Sequence, residues 1–327
     1  MISDNSNFKI EKTNIKTAQE FWDSSPEATF FTNPFVISKI EKNLDFWIVQ
    51  KGNENICLWP ICKNSENRTF IPVFFYYFGP FCSNYYYKIS NHSKFLLQLK
   101  VLDLFVNRFE KSYKNISTQL HYLHHDLRYF IWKKNKKNNY FSIYPKYSAS
   151  ITEIDKKNEK EIISNFSELR RRMLKKSIKS NIFEKTKEFE KKEVIDLYKD
   201  TIIRKNPKIN KKHLNDALEK ISIFFSFFKK EKNLISFNGY RNKKNQKLIS
   251  LIMLGHTKSI SNLILNLSHK DWQKTGITSL TMLDSIKLSQ EMNMKDFDFN
   301  GANSFVGSDD KHHYGSNYRM YFEINSN

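Results

Sequence analysis

The sequence predicts an α+β protein made of two similar halves, each a mixed, mostly antiparallel sheet flanked by helices. Runs rich in β-branched and aromatic residues alternate with amphipathic helical segments in a similar order in both halves. The chain has 327 residues, and roughly 100–200 residues make one domain. With 39% hydrophobic residues and only 8 Gly and 7 Pro, disordered, collagen-like and low-complexity classes are excluded.

Apolar runs and turn signals divide the first half into elements. Pro34 is favoured at an early helical position, and Gly52-Asn53 separates two apolar runs as a hairpin turn would. The predicted strands lie at 8–10, 46–50, 56–62, 69–78, 117–121 and 141–154. The predicted helices lie at 17–22, from 34 onward, at 93–109 and at 126–133. The helical face at 93–109 that we expect in the core holds Phe95, Leu96, Leu99, Leu102, Phe105, Val106 and Phe109.

The second half opens on the densest charge run of the chain. The run 165–192 contains Arg170-Arg171-Arg172 with apolar residues at helical spacing, which predicts a basic helix. Further helices are predicted at 194–203, 211–228 and 277–291. Strands are predicted at 234–240, 248–256, 262–267, 296–299 and 319–324. We therefore divide the chain into domains at 1–154 and 155–327.

The charge balance leaves two interpretations open. There are 54 Lys and Arg against 34 Asp and Glu, a formal net charge of +20. Such an excess favours an anionic partner, which would be nucleic acid, a phosphorylated carrier or an anionic membrane surface. In the alternative, the lysines simply accumulate on a solvated surface in a composition rich in Lys, Asn, Ile and Phe.

The termini and the cysteines indicate a cytoplasmic protein, with peripheral membrane association as an open alternative. No signal-like segment begins the chain, and the longest apolar run, 70–81, is too short to span a bilayer. Cys57, Cys62 and Cys82 lie among apolar residues, as buried free thiols of a reducing compartment do. Neither they nor His121 and His124 show metal-ligand spacing, so no metal site is predicted.

Chemistry is best placed in the C-terminal segment that begins at Asp296. A strand that carries Asp298 and breaks at Gly301 presents polar groups at a sheet edge, and Lys311 follows in a loop. A lysine placed in this way can neutralise a developing oxyanion or bind a phosphate. The neighbouring His312 is a candidate proton acceptor, because histidine side chains as a class exchange protons near neutral pH. The competing interpretation is that Asp298 caps a turn and Lys311 is solvated.

Several motifs resemble FemAB-like proteins, which are peptidoglycan-bridge aminoacyltransferases and relatives with paired acetyltransferase-like (GNAT-type) folds. Asp298-Phe-Asn-Gly301, followed by Lys311 and Tyr314-Gly315, is similar to the closing signature of that family. Looser similarities lie at Thr32-Asn-Pro34, Tyr77-Phe-Gly-Pro80, Asp126-Leu-Arg-Tyr-Phe-Ile-Trp132, 147–154 and 169–176. The resemblance thus covers nearly the whole chain.

The resemblance implies two tandem GNAT-like domains, of which the second carries the site. It implies direct transfer of an acyl or aminoacyl group to an amine of a cell-envelope precursor, either an amino sugar or a peptide. Lys311 would stabilise the oxyanion or a phosphate, and Asp298 would orient the amine or hold the loop. Substrate or phosphate contacts would come from Arg171, Arg172, Asn303 and Tyr314.

The donor remains open, and no tightly bound cofactor is expected. Aminoacyl-tRNA is common in the family and would give the positive charge a purpose. Related acetyltransferases bind acyl-CoA at a Gln/Arg-x-x-Gly-x-Gly/Ala loop, whose N–H groups hold the pyrophosphate. Gln273-Lys-Thr-Gly276-Ile-Thr278 precedes a predicted helix as that loop does, but Thr278 replaces the small final residue. A third reading is a non-catalytic protein that binds nucleic acid or another polyanion.

Overall fold

The computed structural model describes residues 7–124, 126–135, 137–229, 231, 233–303 and 310–326. Contacts within the chain divide it into two units, one of residues 1–146 with 320–327 and one of residues 147–319. The sequence-based division at 154 differs from this one in residues 147–154, which belong to the second unit, and in the last eight residues of the chain. These residues join the first unit because the C-terminal strand pairs there with a strand that includes Gln119.

The first unit is built around an antiparallel sheet. The strands of the unit are β1 (Phe8–Thr13), β2 (Leu44–Lys51), β3 (Glu54–Lys63), β4 (Thr69–Phe70), β5 (Phe81–Cys82) and β6 (Ser117–Gln119). Of these, β1 to β5 form the sheet. The helices of the unit are α1 (Ile15–Ser24), α2 (Pro34–Ile40), α3 (Asn84–Lys88), α4 (Asn91–Ser112) and α5 (Arg128–Trp132). The sheet order is β1-β2-β3-β4, and β5 also pairs with β3. The side chain of Asn33 caps α2 by accepting from the N–H of Val36, and Pro34 is its first residue.

Helix α4 closes the core of the first unit against β2 and β3. The Trp59 ring lies 4.9 Å from that of Phe109 and 5.3 Å from that of Phe105, in edge-on contacts. The C-terminal half of the predicted apolar face is confirmed, since Leu102, Phe105, Val106 and Phe109 are buried. Its N-terminal half is confirmed only in part, since Leu99 is half-buried and packs against this core. Leu97 and Val101 are buried there, whereas Leu96 is 38% exposed.

The strand predicted at 69–78 is also wrong beyond its first two residues. Only Thr69–Phe70 is a strand. Pro72 has no N–H to donate to a sheet, and Phe74 and Tyr77 have left-handed backbones with φ of 70° and 52°. Phe75, Tyr77 and Phe78 are nevertheless buried, so this apolar run fills the core through turns.

Leu102→Ala should lower the free energy of unfolding by about 2–5 kcal/mol, because a buried isobutyl group is lost and a cavity remains. Leu96→Ala is the matched control, with the same change on the same helix at a partly exposed position. For Leu96→Ala we expect less than about 0.5 kcal/mol. Urea unfolding of both variants measures the difference. Equal stabilities would contradict the assignment of Leu102 to the buried face of α4 and of Leu96 to its exposed face.

The second unit contains a six-stranded run of sheet in the order β7-β12-β11-β10-β9-β8. The strands are β7 (Ser142–Ile151), β8 (Phe183–Thr186), β9 (Ile235–Asn242), β10 (Leu248–His256), β11 (Ile260–Ser268) and β12 (Asp296–Gly301). The helices are α6 (Glu159–Asn165), α7 (Glu168–Ser180), α8 (Lys191–Lys205), α9 (Lys211–Phe228) and α10 (Ile277–Glu291). Neighbouring strands are antiparallel except β11 and β12, which are parallel. The last strand, β13, is Asn317–Asn325.

Strand β10 lies at the centre of this sheet. Every residue of the strand is buried, and both α8 and α10 contact it. Burial on both faces explains why its sequence is a continuous apolar run rather than an alternating one. The predicted α+β class, with mostly antiparallel strands flanked by helices, is confirmed.

Two further expectations can be compared with the described residues. The three cysteines are buried and form no disulfide, as the sequence predicts. Among the helices of the described ranges, we find none with the length and apolar character needed to cross a membrane.

Candidate functional site

The sheet of the second unit opens between its two parallel strands. β11 and β12 pair over only three residues, the last pair being Asn262 with Asp298, although both strands continue beyond it. A register shift interrupts the pairing of β10 with β11 beside Leu254, next to this opening. Such bulges redirect strands and are frequent near active sites. We call the place where the two strands part the opening, and we take it as the candidate site.

Asn300 spans this opening. Its Nδ2 donates to the carbonyl oxygen of Leu263 at 2.6 Å, and its Oδ1 accepts from Nδ2 of Asn262 at 3.2 Å. The N–H of Asn300 donates to Oδ1 of Asp298 at 2.6 Å. Its φ of 57° lies in the left-handed region, which asparagine tolerates better than most residues. These bonds direct the chain as it leaves β12, and they give the buried Asp298 a role in positioning that chain.

Lys311 is fixed at the same end of β12. Its Nζ donates to the carbonyl oxygen of Asn300 at 3.1 Å and to that of Gly301. An ammonium group has three donors, and among the described residues two of them are used, which leaves one for a substrate oxygen. Burial lowers the pKa of Lys311 to about 8. The Asp298 carboxylate opposes this shift, whereas the Lys205 ammonium adds to it.

The turn that carries Lys311 is anchored on the start of α7. The N–H of Ser167 donates to the carbonyl oxygen of His313 at 2.9 Å, and the Oγ of Ser167 lies 2.8 Å from Nδ1 of His313. Arg170 forms an ion pair with Asp310. Because residues on both sides of Lys311 are held in this way, the ammonium is well positioned for chemistry.

Tyr314 lies in the core rather than at the surface. Its ring is fully buried, stacks on Phe299 at 5.9 Å and meets Phe166 edge-on at 5.2 Å. Gly315 has a φ of 74°, and a Cβ there would lie 2.7 Å from the carbonyl oxygen of Asn165. We therefore no longer expect Tyr314 to contact substrate. The Tyr-Gly pair instead packs the turn against the helices.

His312 and Asn303 lie nearer to the surface. The exposed His312 ring stacks on Tyr318, with centroids 5.4 Å apart. His313 is engaged with Ser167, so His312 is the imidazole beside Lys311 that can exchange protons with solvent. Oδ1 of Asn303 accepts from the N–H of Tyr147 at 2.6 Å, which ties the end of β12 to β7.

The two arginines predicted to contact phosphate have different environments. Arg171 donates through Nη1 to the carbonyl oxygens of Ser164 at 2.8 Å and Phe166 at 2.9 Å. Those carbonyls end α6, so Arg171 acts as a helix cap. Arg172 is exposed, and within the described part of the chain its guanidinium forms no ion pair.

The glycine of the predicted pyrophosphate loop, Gly276, is required by the local backbone and packing. Gly276 has a φ of 86°, and a Cβ there would lie 2.6 Å from the carbonyl carbon of Met173 and overlap its oxygen. Gly276 directly precedes α10, as the acyl-CoA interpretation requires, while Thr278 is half-buried in its first turn. Gln273 is exposed, and its Nε2 donates weakly to Oγ of Ser268 at 3.4 Å.

Lys311, Arg171 and Gln273 make their hydrogen bonds at three different places. Lys311 bonds to the end of β12, Arg171 to the end of α6, and Gln273 to the end of β11. Lys311 lies with Asp298 beside the place where β11 and β12 part, and the substrate contacts of Arg171 and Gln273 stay predictions.

Sequence reasoning missed three polar residues near the opening. The Oδ1 atoms of Asn262 and Asn266 on β11 are buried and have no hydrogen-bond partner among the described residues. Lys205, at the end of α8, is close enough to lower the pKa of Lys311. Asn262 and Asn266 stand among the apolar residues of β11, and this pattern is the feature of the sequence that could have identified them.

Comparison with known proteins identifies the fold. No family model and no curated protein matches the sequence. The chain is similar in structure to FemX, with a TM-score of 0.67 over 96% of each chain at 10% identity. It has the FemX fold. A tandem GNAT protein from the clavulanic acid biosynthesis pathway gives a TM-score of 0.55 over 98% of each chain at 6% identity. L-PGS from Bacillus licheniformis gives a TM-score of 0.56 over 96% of this chain and 92% of that chain, at 10% identity.

Proposed function

We propose that the chain is an acyl- or aminoacyltransferase that transfers an activated acyl group to an amine of a cell-envelope precursor by direct attack. One observation carries the proposal. In a fold shared with FemX, an ammonium group is held at the opening of the sheet with one donor left for substrate. A structure described as the C-terminal domain of a lysylphosphatidylglycerol synthetase from Agrobacterium fabrum supports it, with a TM-score of 0.51 at 10% identity over 96% of this chain and 91% of that one.

The proposed step needs no covalent intermediate on the protein. The amine nitrogen attacks the carbonyl carbon of the ester or thioester, so a C–N bond forms and the C–O or C–S bond breaks. The nitrogen loses a proton, and the departing oxygen or sulfur gains one. Lys311 donates a hydrogen bond to the oxyanion that develops on the carbonyl, which stabilises the transition state.

His312 is our candidate to accept the proton of the amine. It is exposed beside Lys311, and its ring orientation is set by stacking on Tyr318. Histidine is the side chain most often used as a general base near neutral pH. Asp298 is less suited, because its carboxylate already accepts from the N–H of Asn300.

Two donors are considered. Aminoacyl-tRNA, which the FemAB-like resemblance implies, is our first candidate. Acyl-CoA is the second, and the position of Gly276 between β11 and α10 favours it. The tandem GNAT neighbour, whose structure is described as being without AcCoA, supports the same alternative.

Transfer of a labelled acyl group tests the proposal. The purified chain is incubated with amine-bearing envelope precursors and either labelled aminoacyl-tRNA or labelled acetyl-CoA. We expect label to move from aminoacyl-tRNA to the precursor. Label that moves only from acetyl-CoA supports the second donor. If neither donor labels any amine acceptor, the transferase proposal fails and the polyanion-binding reading of the basic surface gains support.

The transfer rate should fall as the pH rises through about 8, because Lys311 then loses the proton that it donates to the oxyanion. Burial disfavours the charged form, so this loss occurs below the ordinary lysine pKa of about 10.4. Lys311→Arg keeps its charge through this range, and any activity that it retains should lack the alkaline decline. A pH profile of kcat measures both, and a wild-type profile that is flat above pH 8 would contradict the role.

A further inference from the structure

A cluster of potential metal ligands lies in the first unit. Glu27 follows α1, Cys82 ends β5 and His124 follows β6, yet the three are buried together. Oε2 of Glu27 lies 2.9 Å from Nε2 of His124 and accepts from the N–H of Cys82 at 2.6 Å. One ligand atom from each residue lies within 4.8 Å of the other two.

A second thiol adjoins this cluster. Cys57 on β3 pairs directly with Cys82 across the antiparallel ladder, and their Sγ atoms are 3.6 Å apart. In a tetrahedral zinc site with Zn–S bonds of about 2.3 Å, two bound sulfurs are about 3.8 Å apart. The two thiols are therefore already spaced as zinc ligands are.

The surroundings of Glu27 are those of a ligand that is held in place. Besides the N–H of Cys82, the hydroxyl of Tyr87 donates to its carboxylate, through Oε1. Metal-binding carboxylates are commonly oriented by such second hydrogen bonds. Cys57, Cys82 and His124 also line one small cavity of about 20 Å³.

We propose that Glu27, Cys82 and His124 bind one zinc ion, and that the thiol of Cys57 beside Cys82 moves in as the fourth ligand when the ion binds. Thiolate, imidazole and carboxylate donors together suit zinc, and four protein ligands make a closed, structural site. With one carboxylate, two thiolates and a neutral imidazole around the ion, the site carries a net charge of −1 instead of holding uncompensated anions. The ion would tie the segment after α1 to β3, β5 and the loop after β6.

Metal analysis of the purified full chain tests this inference. After incubation with excess zinc chloride and desalting, we expect about one zinc per wild-type chain. Cys82→Ser and His124→Ala should lose it. Cys62→Ser is the matched control, because Cys62 is a buried cysteine without a disulfide, on the same strand as Cys57 but outside the cluster. It should keep its zinc. A wild-type chain without zinc, or a Cys82→Ser chain that retains as much as wild type, overturns the proposal.

Two measurements do not depend on the folding of those variants. Tyr87→Phe leaves all four ligands in place but removes the hydroxyl bond to Glu27, so zinc affinity measured against a chromophoric chelator should fall about 10–100-fold. Unchanged affinity in that variant contradicts the arrangement. Wild-type chain loaded with Co²⁺ should show thiolate-to-cobalt charge-transfer absorption, and its absence also overturns the proposal.

Discussion

Lys311→Ala should lower the rate of acyl transfer by about 10²–10³-fold, the usual effect of removing one oxyanion donor. Lys311 is oriented by the carbonyl oxygens of Asn300 and Gly301 before substrate arrives. Its remaining N–H is strongly used only when negative charge develops on the carbonyl oxygen. The loss should therefore appear in kcat more than in KM. Steady-state kinetics with the labelled donor measures both constants.

Lys295→Ala is the matched control for this variant. Lys295 immediately precedes β12, at the opposite end of the strand from Lys311, and its side chain is exposed. We expect this variant to keep the wild-type rate. If Lys311→Ala were as active as Lys295→Ala, Lys311 would not be the oxyanion donor. A loss confined to KM would instead indicate that Lys311 binds the donor, through its phosphate for example.

Gly276→Ala should lower the free energy of unfolding by about 3–5 kcal/mol. A non-glycine residue with a left-handed backbone costs about 1–2 kcal/mol, and the φ of Gly276 is 86°. The added Cβ would also overlap the backbone of Met173 on α7, and overpacking of that kind adds about 2–3 kcal/mol. Backbone atoms cannot rotate away as a flexible side chain can. Urea unfolding monitored by circular dichroism measures the effect.

Gly52→Ala separates the two contributions. Gly52 also has a left-handed backbone, with a φ of 58°, but the nearest atom to a new Cβ is Oδ1 of Asn7, at 3.7 Å. Only the conformational contribution of about 1–2 kcal/mol is expected there. Equal destabilisation of the two variants would contradict the packing role of Gly276.

Several elements could be predicted from the sequence almost to the residue. Strand β10 and helix α10 begin and end where the apolar runs and the helical spacing indicate. Those signals are local, since they depend on residues within one or two turns of each other. The 69–78 segment shows the limit of such signals. Its composition is that of a strand, but Pro72 and two left-handed residues end the strand after Phe70.

The candidate site was predicted in part. The order Asp298, Gly301, Lys311 along the chain indicated a polar strand end followed by a cationic loop, and the structure brings these residues together. Arg171 and Tyr314 belong to the same motifs but act as a helix cap and a core residue. Composition cannot distinguish these roles, because capping, packing and phosphate binding all use the same side chains.

By itself, the sequence determined the α+β class, most of the helices and strands, and the segment in which to look for chemistry. The tertiary structure decided which residues meet. In the folded chain Gly276 lies against the backbone of Met173, and Asn300 bridges the opening between β11 and β12. The side chains of Glu27 and His124 also come into hydrogen-bond contact. The physical reason is the separation along the chain over which each kind of interaction acts. Periodicity and turn preferences act between near neighbours along the chain, whereas a site is formed by contacts between segments that only the packed sheets and helices bring together.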